Sequence, residues 1–288
     1  MIHCEHVSKK IGRKVVLQEL NLHIDEPKLV GLVGRNGAGK STLMSLIAGL
    51  ELPTTGRVTV LERPAFDQLY VAVNTVYIHP NMTFPTHLSL REICQMGAQF
   101  YMNWDCTLSD KLLAYFELPM HQTFQQLSTG MKSMFATIFA LSTRAAVTLL
   151  DEPINGIDEG LRSEMYRVIL KDYLGHPRLM IIASHLLDEL EHLLEEIVIL
   201  HDRQVIVHKN IDDFAASHVI WEGDLSKMLA AYPDALIIER SPFGTDRVVV
   251  PSSVTASFTQ QAISAKELYL YQTAEKKGTI DDVFSNDE

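Results

Sequence analysis

The strongest chemical signal in the chain is Gly34-Arg35-Asn36-Gly37-Ala38-Gly39-Lys40-Ser41-Thr42. These residues fit the spacing G-x-x-x-x-G-K-[ST], with an apolar stretch on either side. Glycines so placed let the backbone turn tightly, so that successive N–H groups converge on an anion. A helix starting near Lys40 adds the positive end of its dipole. Lys40 then meets the β- and γ-phosphates of a nucleotide, and the Ser41 hydroxyl binds Mg²⁺. The second signal is Val147-Thr148-Leu149-Leu150-Asp151-Glu152-Pro153. Here an apolar strand ends in two acids. Asp151 is suited to hold Mg²⁺ through water, and Glu152 to polarise an attacking water. Taken alone, two acids after a strand are usually a solvated loop; the phosphate loop upstream turns the reading toward chemistry.

Such residues need a scaffold that brings strand ends together. From residue 2 to about 207 the chain alternates between strand-like and helix-like stretches. Strands are expected at 2–7, 28–33, 75–78, 147–150, 179–183 and 197–200. The last four are nearly all apolar or β-branched, as strands buried on both faces are. Helices are expected at 41–49, 90–101, 109–116, 130–141, 159–173 and 186–195. This order implies an α/β fold with a mainly parallel sheet and helices on both faces. Residues 88–141 lack a buried-strand pattern and read as a helical insertion. After about residue 209 the character changes again. Strands at 219–222, 235–239, 248–250 and 268–271, with helices at 225–231 and 254–263, suggest a small split β-α-β-β-α-β domain. Residues 242–246 have hairpin-turn chemistry. The tail, 279–288, starts as a short helix and ends polar and acidic, so fraying is expected.

Composition narrows the class. Of 288 residues, 47% are hydrophobic and 21% charged, which fits a globular chain rather than a disordered one. The net charge of −11 argues against nucleic acid as a partner. No apolar run approaches the ~18 residues of a membrane span. The start does not read as a signal peptide, so action in the cytoplasm is expected. Three widely spaced cysteines suggest reduced thiols and neither a disulfide framework nor a zinc site.

With Leu127-Ser128-Thr129-Gly130-Met131, about twenty residues before Asp151, the chain resembles a known family, the ATP-binding subunits of ABC transporters. The segment looks like a variant of the family's LSGGQ signature at the start of a helix. Read bottom-up, Ser128 and the free N–H groups of that helix, Gly130 among them, are a second anion site. Ser184-His185 matches the switch histidine that hydrogen-bonds the γ-phosphate. Asn155-Gly156-Ile157-Asp158 resembles the loop whose aspartate communicates between sites, although Asp158 also suits the N-cap of the next helix. The resemblance covers about residues 1–208. It implies a P-loop NTPase (RecA-like) domain with a helical subdomain at about 88–141, followed by a small α+β accessory or regulatory domain at 209–288. It further implies ATP and Mg²⁺ as cofactors, and catalytic roles for Lys40, Glu152 and His185. A head-to-tail dimer with a second ATP-binding subunit, identical or different, follows. So does an integral membrane permease as partner, on the cytoplasmic face of the cell membrane. The variant signature and the extra C-terminal domain look like exporter-type subunits. A non-transport ABC ATPase, acting as a regulator or on a macromolecular partner, is the alternative.

Three departures are visible. Ile11 stands where the family's adenine-stacking ring sits, offering apolar contact without a π face. The family's glutamine after the 75–78 strand is absent, leaving His79 or Asn81 in its place. Thr129 and Met131 replace the second glycine and the glutamine of the signature, while its Ser-x-Gly core remains.

Overall fold

The computed structural model describes residues 1–239 and 245–273. They divide into two compact units, Met1–Ile211 and the described residues from Asp212 onward. The first unit opens with β1 (Ile2–Ile11), β2 (Lys14–Ile24), β3 (Leu29–Val33), α1 (Lys40–Ile47), β4 (Thr55–Val60), the short β5 (Arg63–Pro64), α2 (Leu69–Asn74) and β6 (Thr75–Ile78). Helices α3 (Leu90–Phe100), α4 (Cys106–Tyr115) and α5 (Thr129–Ser142) follow, with a 3₁₀ turn at Phe124–Gln126. Next come β7 (Val147–Asp151), α6 (Glu159–Gly175), β8 (Leu179–Ser184), the short α7 (Leu187–Leu190), β9 (Glu196–His201) and β10 (Gln204–Asn210).

The central sheet runs β10-β9-β3-β8-β7-β6 and is parallel except for β10. Strands β3, β7 and β8 are buried along their whole length, which is why they are apolar at nearly every position rather than at alternate ones, the exceptions being Thr148, Asp151 and Ser184. An antiparallel sheet, β2-β1-β4-β5, lies alongside. Its strands β2, β4 and β5 were not anticipated. In β2 only Leu17, Leu20, Leu22 and Ile24 are buried, and Glu19 sits at φ 46°, so a bulge breaks the alternation that marks a strand. Strand β10 was missed because its apolar run is only Val205-Ile206-Val207, with exposed polar residues on both sides. The 186–195 helix shrinks to the four residues of α7.

Leu43, Met44 and Ile47 of α1 share one core with Val30 and Leu32 of β3, Leu149 of β7 and Leu20 of β2. Helix α1 is thus clamped by both sheets. Each of these side chains contributes roughly 1.5–3 kcal/mol by leaving water, enough to fix the loop at its N-terminus. The helical insertion has its own aromatic core, in which Phe84 meets Phe124, Phe135 and Phe139 edge-on. Asp105 caps α4 through the Leu108 N–H and pairs with Arg144 at 2.8 Å, and Arg144 also binds the buried Asp172 of α6. That chain of charges docks the insertion against the parallel-sheet layer.

The second unit contains α8 (Ile211–Ala216), which begins at the boundary, then β11 (His218–Gly223), α9 (Leu225–Ala231), β12 (Leu236–Glu239), β13 (Asp246–Pro251), β14 (Thr259–Ala262) and α10 (Ala265–Gln272). Its antiparallel sheet is ordered β12-β13-β11-β14 around Trp221, Met228, Val248 and Val250. Two expectations are reversed here. The 254–263 stretch holds strand β14, and 268–271 lies inside helix α10. Ser264 and Glu267 form a reciprocal capping box that starts α10. All four residues of β14 are exposed, so it has no apolar alternation to read. The expected hairpin turn falls largely, and the tail wholly, outside the described residues. Among the described residues no helix is long and apolar enough to cross a membrane.

Candidate functional site

Strand β3 delivers the chain into the glycine-rich loop, and the loop is seated by close approach. A Cβ on Gly34 would stand 2.5 Å from the carbonyl oxygen of Leu200, and one on Gly39 2.7 Å from Leu17 Cδ2. Gly37 and Gly39 have φ of 82° and 108°, a region open to glycine and strained for other residues. The Ala38 N–H donates to the Arg35 carbonyl at 3.0 Å, closing the turn. Helix α1 then starts at Lys40 with its first N–H groups free of helical partners. Lys40 is buried, and its Nζ donates to the Gly34 carbonyl at 2.6 Å, inside the curve of the loop. Burial holds its pKa below the usual lysine value, partly offset by the charges of Glu152 and Asp151.

A cavity of about 580 Å³ opens at this end of the sheet, within the range of a nucleotide-sized ligand. Arg35, Asn36, Gly37, Gly39, Lys40, Ser41 and Thr42 form one wall, and Asp151 and Glu152 another. Gly34 and Ala38 support the loop from behind. Ile11, Lys14 and Val16 form the rim, and Ile11 is half exposed there. An expected result follows from its aliphatic surface. Ile11→Tyr should tighten ATP binding by roughly 0.5–1.5 kcal/mol, read by calorimetry; unchanged affinity would place the base elsewhere.

The register Ile78↔Leu150 sets His79 beside Asp151, and Asp151↔Ala183 sets Glu152 beside Ser184. Glu152 occupies the left-handed region at φ 50°, held there by its N–H donating to the Ala183 carbonyl at 2.9 Å. Its carboxylate meets His185 Nδ1 at 2.9 and 3.0 Å, and the Ser184 hydroxyl at 3.4 Å. Two adjacent strand ends thus assemble the Glu152–His185 pair. Sequence reading missed Tyr77, whose hydroxyl lies 3.3 Å from Asp151 Oδ2 and 3.4 Å from the Ser41 carbonyl. A tyrosine inside an otherwise aliphatic strand, one residue short of its end, was the available signal. Burial, then the charge of Asp151, raises its pKa, so it stays a neutral hydrogen-bonding group. His79 stacks on Tyr77 with centroids 5.0 Å apart. His79 and Asn81 both border this cavity and a smaller one of about 270 Å³.

Ser128, Gly130 and Asp158 are not among the residues that line the larger cavity. Ser128 caps α5 by accepting from the Met131 N–H at 3.3 Å. A Cβ on Gly130 would stand 2.3 Å from the Gly156 carbonyl oxygen, so the start of α5 rests directly on the loop after Glu152. Thr129 reaches the smaller cavity, whose other walls include Asp151 and Glu152. Asp158 does occupy the N-cap of α6, yet its side chain makes no capping bond.

Comparison with known proteins agrees with this arrangement. A family model described as ABC transporter matches residues 17–155. The ABC transporter ATP-binding protein YtrB of Bacillus subtilis (strain 168) is 28% identical over 196 residues, 66% of this chain and 65% of that protein. The chain therefore spans slightly less than two thirds of that relative. The Nod factor export ATP-binding protein I of Rhizobium etli is 28% identical over 81% of this chain and 78% of its own length. The aliphatic sulfonates import ATP-binding protein SsuB of Escherichia coli O6:H1 is 32% identical over 64% of this chain and 70% of its own. A solved ATP-binding subunit of an ABC transporter shares the fold, with a TM-score of 0.66 at 23% identity over 74% of this chain and 91% of that one. The chain belongs to the ABC transporter family, among its ATP-binding cassettes.

Proposed function

We propose that this chain binds and hydrolyses ATP to drive a separate membrane permease, with export as its direction. One observation carries the reading: a single cavity joins the phosphate loop, Ser41, Asp151 and Glu152, and the Glu152 carboxylate in turn meets His185. The triphosphate lies against the N–H groups of the loop and the start of α1, and the base against Ile11 and Val16. Lys40 meets the β- and γ-phosphate oxygens. The donors present fit Mg²⁺, a hard ion that takes few protein oxygens beside phosphate and water. Ser41 and the buried Asp151 would hold it, with Tyr77 bridging the two residues. When bound, it supplies positive charge against the phosphates.

Glu152 orients a water for in-line attack on the γ-phosphorus, and ADP leaves on the opposite side. His185 fixes the Glu152 carboxylate and faces the terminal phosphate. Ser128, Gly130 and Asp158 act on the nucleotide of a second ATP-binding subunit, identical or different, arranged head to tail. Their place outside this chain's own cavity supports that reading, as do the free N–H groups at the start of α5.

The permease, on the cytoplasmic face of the cell membrane, docks in an apolar groove of about 270 Å³ lined by Met82, Phe84, Met96, Phe100 and Tyr101. Phe100 is 55% exposed, and Tyr77 lines both this groove and the nucleotide cavity. Export is favoured by the variant signature and by the relative named for Nod factor export, whose match covers more of this chain than the first unit alone. The second unit has a core of its own and serves as an accessory or regulatory domain. Affinity capture of the full chain from detergent-solubilised membranes should bring down a multi-span protein. Capture with no such protein, from cells where the chain is active, would overturn the transport reading.

A further inference from the structure

Arg162, in the first turn of α6, reaches in two directions. Its Nε donates to the Ile157 carbonyl at 2.8 Å, and its Nη1 meets Glu189 Oε1 at 3.1 Å. Ile157 belongs to loop 153–158, which follows Glu152. Glu189 lies on α7, just beyond His185. The second oxygen of Glu189 is shielded from solvent with no hydrogen-bond partner among the described residues. So is the hydroxyl of Tyr166, one turn along α6 from Arg162. Burial, then the charges of Glu189 and Glu152, raises the Tyr166 pKa. A shielded carboxylate oxygen and a shielded phenol are complementary groups, one an acceptor and the other a donor. The far side of the same loop is gripped by α5. Ser133 donates to the Asn155 carbonyl at 2.7 Å and Thr137 to the Pro153 carbonyl at 3.2 Å. Any movement of the signature helix therefore displaces the loop, and the loop is tied to α7 through Arg162.

We propose that Arg162, Glu189 and Tyr166 form a positioning cluster that transmits displacement of loop 153–158 to the His185 segment, closing the Glu152–His185 pair on the nucleotide. The inference rests on the reading of Glu152 and His185 as the groups that act on ATP. It assigns Arg162 no contact with substrate.

The test uses the full chain with Arg162→Lys, Glu189→Gln and Tyr166→Phe, each close in volume to the residue replaced. Three readouts are taken: kcat, the affinity for a non-hydrolysable Mg-ATP analogue, and the His185 ring resonances with that analogue bound. Misplacement of a catalytic group by about 1 Å costs on the order of a hundredfold in rate. Arg162→Lys and Glu189→Gln should therefore lower kcat by roughly 10- to 100-fold and shift the His185 resonances. Analogue affinity should stay within about twofold, because no phosphate or base contact is removed. Tyr166→Phe should lower kcat less, with no loss of melting temperature, since an unpartnered hydroxyl is removed. Folded Arg162→Lys and Glu189→Gln with wild-type kcat and unmoved His185 resonances would overturn the proposal. Equal losses of kcat and affinity would overturn it too, as general loosening. Glu152→Gln serves as the control. If it is inactive while the cluster variants are normal, the cluster alone fails. If it turns over normally, the reading of the site fails, and this inference with it.

Discussion

Glu152→Gln should abolish ATP turnover while ATP still binds. The substitution keeps the shape of the side chain and its place beside His185, but removes the charge that orients and polarises water. General-base contributions are typically about 10²- to 10⁴-fold in rate, so phosphate release should fall by at least about a hundredfold. Affinity should hold, because the proposed phosphate contacts come from the loop and Lys40, which line the cavity with Glu152, rather than from Glu152 itself. Phosphate release and calorimetry on the same preparation check both halves. Turnover within about twofold of wild type would remove Glu152 from the mechanism. The left-handed backbone at Glu152 makes glutamine a safer choice than a β-branched residue, which would add strain at φ 50°.

Lys40→Ala should strongly weaken nucleotide binding. Lys40 is buried and folded over the Gly34 carbonyl, so the cation is already partly desolvated before a phosphate arrives. A hydrogen bond to a charged group contributes about 1.5–3 kcal/mol, which corresponds to a loss of roughly 10- to 150-fold in affinity. Calorimetric titration with Mg-ATP measures it directly. Affinity equal to wild type would mean that the phosphates do not lie in this loop. The fold should survive, since α1 is anchored by Leu43, Met44 and Ile47 rather than by the lysine.

The parts of the site legible in the sequence are those whose chemistry is local. The loop 34–42 announces itself because glycine is needed where φ is positive and where β2 and β9 press close. The acids at the end of β7 were legible because a mostly apolar strand is buried on both faces, and its end can then face an opening. Residues whose roles depend on two distant segments were not legible. Tyr77 matters only because β6 pairs with β7 and thereby meets Asp151. Arg162 looks like an ordinary helix-surface cation until Glu189 and the Ile157 carbonyl are seen beside it. In the second unit, apolar content located the core without naming the elements. Leu268 and Tyr269 are buried in α10, yet in so short a stretch their apolar character reads equally well as a strand. Strand β14 is defined by its pairing with β11, which no local residue pattern reports.

Two chains completing each other's nucleotide sites is the claim on which the rest depends, since Ser128, Gly130 and Asp158 do not line this chain's own cavity. Sedimentation velocity of Glu152→Gln, with and without saturating Mg-ATP, tests it most directly. Blocked hydrolysis should hold the closed state, so Mg-ATP should shift the chain from monomer to dimer, and adding Lys40→Ala should abolish the shift. A protein that stays monomeric at saturating Mg-ATP, both alone and mixed with any second ATP-binding subunit captured with it, would contradict the account.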